Sequence, residues 1–300
     1  MNQLEQILRA RFGVRLGASV SMAERTSFRI GGPAELLLAV EDEGELAAAM
    51  EAASRCGVRT FCLGAGTNLL VSDRGMRGLV ITLGAHFRRI DFDGCAVSAG
   101  AAARFGDLVE ATVAHGLAGL EFGEGIPGSV GGGLVMNAGA FGGEMARVVI
   151  LVRGVAADGR LIDLTAEQVK FAYRRSELPA GFVITRADFH LAQGDRESLG
   201  ARVAELKAKR AARQPRGLPN AGSVFRNPPG NFAGRLLESA GLKGERLGGA
   251  AFSTEHANFI VNLGDARAED VRGLIELARE RVRNQSGVWL EPEVRLVGEW

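Results

Sequence analysis

The sequence predicts an α+β fold in two domains. Its 300 residues exceed what most single domains need. Strand-like and helix-like segments are mixed without regular alternation, which disfavours a doubly wound parallel sheet. Composition also shifts between 195 and 215, where a polar helix runs into a Pro/Gly loop. The expected division is into residues 1–200, split again near 72 into two α+β subdomains, and residues 201–300.

Each element has its own signal. PAELLLAV (33–40) is an apolar run ending at the acidic cluster EDEGE and predicts a strand. ELAAAMEAASR (45–55) joins helical spacing to strong helix formers. RTFCLG (59–64), GLVITL (78–83) and CAVSAG (95–100) predict short strands. ARFGDLVEATVAHGL (103–117) predicts an amphipathic helix stopped by Gly116. MARVVILVRGVA (145–156) and GRLIDLT (159–165) predict two strands joined by the turn Ala157-Asp158-Gly159. FVITRADFHLAQ (182–193) alternates as a strand, and RESLGARVAELKAKRAARQP (196–215) predicts a polar helix that stops at Pro215. After the loop 216–222 come a helix (232–244), a strand (257–263), a helix (266–285) and a strand (289–298).

Composition narrows the function. Apolar residues make up 46% and charged residues 24%, ordinary for a globular protein. A net charge of +1 gives no general reason to expect nucleic acid or an anionic membrane as partner. The basic run Lys207 to Arg216 has no aromatic residues interleaved with it. It is expected to be a solvated helix face, with a contribution to binding an anionic substrate as the alternative. Cys56, Cys62 and Cys95 form no C-x-x-C and are expected to be buried free thiols. MNQLEQILRARFG lacks the long apolar stretch of a signal peptide, and no apolar run approaches the roughly 20 residues of a bilayer span. A cytoplasmic location is expected.

The segment GLEFGEGIPGSVGGGLVMNAGAFGGEM (119–145) holds ten glycines in 27 residues. Within it GEGIPG, Gly123 to Gly128, matches the dinucleotide fingerprint G-x-G-x-x-G. That fingerprint works only after a buried strand and before a helix. Here a helix precedes it, and the glycines of SVGGGLVMNAGAFGG would each cost a helix roughly 1 kcal/mol against Ala. No helix is expected, and the Rossmann reading is rejected. Two readings remain: structural turns, or a cradle of backbone amides. LGAGTNLLVSD (63–73) and TSFRIGGPAE (26–35) are further Gly-rich loops, and there is no Walker lysine. Three such loops suggest an extended cofactor, and a flavin dinucleotide has that length.

TSFRIGGPAE, LGAGTNLLVSD, GIPGSVGG with MNAGAFGGE, FAYRRSEL, AGSVFRNP, AGRLLESAGLKG, HANFIVN and LEPEVRLVG occur in this order. Together they resemble the UDP-N-acetylenolpyruvoylglucosamine reductase family, over residues 20 to 299. The resemblance implies a non-Rossmann FAD-binding domain of the PCMH/vanillyl-alcohol-oxidase type, followed by a smaller α+β substrate-binding domain. It implies bound FAD, with NADPH as hydride source and UDP-N-acetylglucosamine enolpyruvate as substrate, in peptidoglycan synthesis; a monomer is expected. It implies that Leu63, Gly64, Ala65, Gly66, Thr67, Asn68 and Leu69 grip the FAD pyrophosphate. Ile126, Pro127, Gly128, Ser129, Gly131 and Gly132, with Asn137, Ala138 and Gly139, would lie along the flavin. Tyr173, Arg226 and Asn227 would contact substrate. The family's phosphate loop commonly reads GGGSNLL where this chain has Gly-Ala-Gly-Thr, and Arg226 stands where Lys is frequent. Tyr173 is the only tyrosine, so the chain resembles the shorter branch that lacks a substrate-covering tyrosine loop.

The implied chemistry reduces an enolpyruvyl ether to a lactyl ether. Hydride addition to one vinyl carbon leaves an enolate, which needs a cationic clamp, a proton donor and exclusion of water. Arg174 in YRRS is the candidate clamp, because a guanidinium holds a carboxylate through two hydrogen bonds; neighbouring Arg175 is expected to be solvated. Ser223 in AGSVF is the candidate proton donor. Glu293 in EPEVRL either polarises the carboxylate with Arg174 or pairs with Arg295 on the same strand face. The four histidines, His86, His115, His190 and His256, are scattered, and no metal is expected. Two alternatives stay open: a flavoprotein of the same FAD-domain type that oxidises a sugar or alcohol, and a non-catalytic FAD or nucleotide-sugar binding module. The motifs YRRS, GSVF and PEVR weigh against the first, since carbinol oxidation needs no enolate clamp.

Overall fold

A computed structural model describes residues 3–212, 214–215 and 217–300. The chain forms two compact units: Met1–Ala18, Leu36–Ala65 and Gly78–Ala211 make one, and Ser19–Glu35, Gly66–Arg77 and Ala212–Trp300 the other. The division is discontinuous in sequence, where the sequence alone suggested consecutive domains.

The first unit has two cores. In one, helix Gln3–Phe12 buries Leu4, Leu8 and Phe12, one residue per turn. Helix Glu43–Arg55 buries Leu46, Ala49, Met50 and Ala53 at helical spacing. Its N-terminus is capped by Asp42, which accepts from the Glu45 N–H at 2.8 Å. Arg15 holds Glu45 through two bonds of 2.7 Å. These helices cover a sheet whose strand Thr60–Leu63 runs parallel to Met76–Leu83. The other core lies under a five-stranded antiparallel sheet. Its order is Leu161–Thr165, Val149–Val155, Val183–His190, Ala96–Gly100, Ile90–Asp93. The hairpin around Asp158 forms as expected.

In the second unit, strands Asn220–Ser223, Phe259–Asn262, Ala250–Phe252 and Arg246–Leu247 form an antiparallel sheet. Helix Ala268–Ser286 packs Val271, Leu274, Ile275, Ala278 and Val282 into the core this sheet shares. Early segments belong here for identifiable reasons. Phe28, Ile30 and Leu70 are core residues of this unit. Asp73 caps helix Ala268–Ser286, accepting from the Ala268 N–H at 2.9 Å and the Glu269 N–H at 3.1 Å. The Phe28 carbonyl accepts from Asn262 at 3.0 Å. A Cβ on Gly32 would collide with the Asp73 carbonyl, so the glycines of TSFRIGGPAE include one required by backbone packing.

Some elements differ from expectation. Residues 130–135 (VGGGLV) are a short helix despite three glycines, because tertiary partners satisfy its first amides. The polar helix Arg196–Ala211 ends before Pro215. Of 289–298 only Arg295–Val297 is a strand, paired in parallel with Leu69–Val71, so Glu293 precedes the strand. Helix Gln3–Phe12 and strands Ile90–Asp93 and Ala250–Phe252 carry no clear sequence signal.

Candidate active site

Strand Thr60–Leu63 delivers the loop 64–68, with Leu63 and Leu69 buried at its two ends. Gly64 and Ala65 are exposed. The backbone N–H groups of Ala65, Gly66 and Asn68 have no acceptor among the described residues. Gly66 has φ +66°. Its carbonyl is held by the Ser27 N–H at 3.1 Å, which braces the loop without consuming a donor. Amides without a protein acceptor are what a diphosphate needs. FAD therefore fits this loop.

The segment 126–139 contrasts with it. Ser129 caps helix Val130–Val135, its hydroxyl accepting from the Gly132 N–H at 3.2 Å. The Val130 and Gly131 N–H groups donate to the Ala103 and Ala101 carbonyls, each at 2.9 Å. The amides at this helix start are thus spent inside the protein, and no pyrophosphate cradle of the Rossmann kind remains. Gly128 has φ +138°. Gly132 is exposed, and a Cβ there would meet only the Ser129 hydroxyl at 3.4 Å. It leaves bare, accessible backbone, as a flat ring system requires. Ile126 is half-buried against the core of this unit, beside Pro127. Ala138 is buried, and Gly139 pairs with Glu144.

Asn137 is buried, and its side chain is fully used inside the protein. Its amide donates to Glu144 and to the Ala172 carbonyl, both at 3.1 Å, and its oxygen accepts from the Ala146 N–H at 3.0 Å. It thereby ties the glycine segment to the turn that carries Arg174. In that turn Ala172 and Arg175 exchange backbone bonds of 2.9 and 3.1 Å, leaving Tyr173 and Arg174 at the tip. Arg174 is left-handed at φ +55°, a position that favours Gly or Asn. Its guanidinium lies 5.2 Å from the centre of the half-exposed Tyr173 ring. Ser176 anchors the turn, donating to the Val135 carbonyl at 2.9 Å. Arg175 pairs with Glu177 at the surface, as expected.

In the second unit Ser223 and Glu293 are neighbours in space. The Glu293 N–H donates to the Val224 carbonyl at 2.7 Å. Asn68 clasps Glu293 from the other side, its amide donating to the Glu293 carbonyl at 3.1 Å and its own carbonyl accepting from Arg295 at 3.0 Å. Ser223 is half-buried, and its hydroxyl has no partner among the described residues. Arg226 pairs with Glu291 at 3.6 Å. Asn227 accepts from the Ala233 N–H at 3.0 Å at the start of helix Ala233–Ser239.

Sequence reasoning missed one cluster. The basic run is not simply a solvated face. Lys207 pairs with the buried Glu124 at 3.7 Å, and half-buried Arg210 lies 5.7 Å from the centre of the Phe141 ring. Arg213 and Arg216 of that run lie outside the described residues. No group of His, Cys, Asp and Glu among the described residues could hold a metal ion. The three cysteines are free and half-buried, and burial pushes the Cys62 thiol up to about 12. No helix among the described residues is long and apolar enough to cross a membrane.

Residues 34–165 match the FAD binding domain family, and the fold is shared with a Phl p 4 variant described as a glucose oxidase (TM-score 0.51, 17% identity, 97% of this chain and 60% of that one). With the open phosphate loop, this defines an FAD-binding protein of the PCMH fold type. Residues 214–297 match the family described as UDP-N-acetylenolpyruvoylglucosamine reductase, C-terminal domain. The reductase of that name from Rubrobacter xylanophilus is 48% identical over 276 residues, covering 91% of this chain and 92% of its own. The crystal structure of the Thermus caldophilus reductase superposes with a TM-score of 0.83 at 40% identity, covering 94% of this chain and 98% of that one. The chain belongs to the UDP-N-acetylenolpyruvoylglucosamine reductase family.

Proposed function

We propose that the protein catalyses NADPH-dependent reduction of UDP-N-acetylglucosamine enolpyruvate to UDP-N-acetylmuramate, as a cytoplasmic monomer. In this reading residues 1–200 serve FAD and residues 201–300 serve the sugar nucleotide. When bound, FAD supplies the hydride that adds to one vinyl carbon. The protein's own residues manage the charge and the proton. Arg174 holds the substrate carboxylate, and its bonds strengthen as enolate charge develops. Ser223 donates its hydroxyl proton to the α-carbon. Glu293 polarises the same carboxylate, and Tyr173, Arg226 and Asn227 contact the sugar nucleotide. The amides of 64–68 hold the pyrophosphate, while the bare backbone around Gly132 lies against the flavin.

The observation that carries this reading is the 2.7 Å bond from the Glu293 N–H to the Val224 carbonyl. It brings the backbone of Glu293 next to the strand end that carries Ser223, which supports a role for the two residues in one reaction, a pairing that carbinol oxidation has no use for. The test is a two-step titration of the purified holoenzyme. The yellow protein should bleach anaerobically with NADPH and regain colour on adding the enolpyruvyl UDP-sugar. Failure to bleach removes NADPH as donor, and failure to recolour removes the substrate.

A further inference from the structure

Strand Asn220–Ser223 is not a regular partner of Phe259–Asn262. Asn220 faces Val261 and Ser223 faces Phe259, so three steps along one strand match two along the other. The extra residue is a bulge, with Gly222 left-handed at φ +76° and its N–H donating to the Asn220 side chain at 3.0 Å. Successive residues of a strand face opposite ways, so one extra residue decides the face on which Ser223 stands. Beyond Ser223 the pairing passes to Asn258. Its main-chain carbonyl accepts from the Val224 N–H at 2.8 Å. Its side-chain oxygen accepts from the Phe225 N–H at 2.9 Å, and its amide donates to the Phe225 carbonyl at 2.8 Å. The carboxamide thus pairs with Phe225 as a facing peptide group would, and both residues are buried. The Asn258 N–H donates to His256 Nδ1 at 3.1 Å, which leaves the Val224 carbonyl to the N–H groups of Glu293 and Val294, at 2.7 and 3.3 Å. Val224 and Phe225 therefore lie between Asn258 and the segment that carries Glu293, directly after Ser223.

We propose that Asn258 is a positioning residue for the reaction: by holding the main chain of Val224 and Phe225, it fixes where Ser223 stands and keeps the Glu293 segment beside it. The inference rests on the role given above to Ser223. Two variants test it as holoenzymes. Asn258→Ala removes both bonds to Phe225. Asn258→Asp keeps the shape and the acceptor for the Phe225 N–H, and replaces the donor to the Phe225 carbonyl. Stopped-flow flavin absorbance follows bleaching by NADPH and recolouring by the enolpyruvyl UDP-sugar. Both variants should bleach at a near-normal rate. Their maximal rate of recolouring should fall by about 10- to 100-fold, as it does when a reacting group is misplaced by about 1 Å. The sugar concentration that gives half the maximal rate should stay near the wild-type value. Asn258→Asp combined with Ser223→Ala should recolour no more slowly than Ser223→Ala alone, because a group already removed cannot be misplaced further. Losses that multiply in the double variant would show that Asn258 acts elsewhere, and would overturn the proposal. So would equal loss in bleaching and recolouring, a loss confined to apparent sugar affinity, or wild-type recolouring by both variants. If Asn258→Ala does not fold, the isosteric Asn258→Asp carries the test. Wild-type recolouring by Ser223→Ala alone would instead condemn the proton-donor reading, and this inference with it.

Discussion

At the scale of the residue, Arg174 combines a functional side chain with an unfavourable backbone. Left-handed conformation costs an L-residue about 1–2 kcal/mol, and the exchanged bonds between Ala172 and Arg175 impose it. Arg174→Gly should release that strain, less the extra entropy of glycine in the unfolded chain. The expected outcome is thermal stability equal to or above wild type, by up to about 1 kcal/mol, with sugar-dependent recolouring slowed by at least about 10-fold. A clear loss of stability in calorimetry would show that the strain is absent. Ser223 separates the two halves of the reaction. If it only donates the proton, Ser223→Ala should bleach with NADPH at a near-normal rate, while recolouring slows by about 10²-fold or more. Ser223→Cys should retain more activity, because a thiol still donates. Equal loss in both halves, read by stopped-flow absorbance, would mean that Ser223 merely holds its loop.

At the scale of the element, helix Val130–Val135 divides its glycines between two duties. A Cβ on Gly131 would meet the Ala101 Cβ at 3.0 Å, so that glycine is needed by the protein's own packing. Gly132 faces open space apart from the Ser129 hydroxyl. Gly132→Val should therefore fold with wild-type stability, since glycine is itself a poor helix former, yet purify with little flavin. Gly131→Val should lose flavin together with thermal stability. The ratio of flavin to protein absorbance, read beside the melting temperature, checks both. A full flavin complement in Gly132→Val would remove the flavin from this face.

At the scale of the whole molecule, acid stability draws on carboxylates bound to arginines. Arg15 lowers the Glu45 carboxyl below its usual range by a direct hydrogen bond, and Arg153 does the same to Asp163 across a strand pair. A lowered folded pKa means stability that is present above the unfolded value, about 4, and that is lost as pH falls through the folded value. Both pairs are partly solvated and screened, so each is worth about 0.5 kcal/mol. The double variant Glu45→Gln with Asp163→Asn should be less stable than wild type by about 1 kcal/mol at pH 7. The difference should vanish near pH 2, where both wild-type groups are protonated. Denaturant titrations at the two pH values measure this, and a difference that persists in acid would assign it to packing.

The sequence by itself determined whatever depends on residues close along the chain. Leu46, Ala49, Met50 and Ala53 announce one helix, and Val271, Leu274, Ile275 and Ala278 another, because helical spacing is a local property. The Asp158 turn, the short motifs and the chemistry they imply were legible in the same way. Tertiary structure decided how the amides are used. The glycines at 131–133 argue against a helix, yet Ala101 and Ala103 accept its first donors from almost 30 residues away. The equally glycine-rich loop at 64–68 keeps donors that no described residue accepts. No pattern in either segment reveals which of the two is open, because satisfaction of a backbone group depends on a partner that folding alone supplies. The same holds for Asp73, which caps a helix 195 residues further on. It holds again for Arg210, whose place in a solvated-looking run became a half-buried place beside Phe141 only when its helix docked on the bare backbone of Gly125.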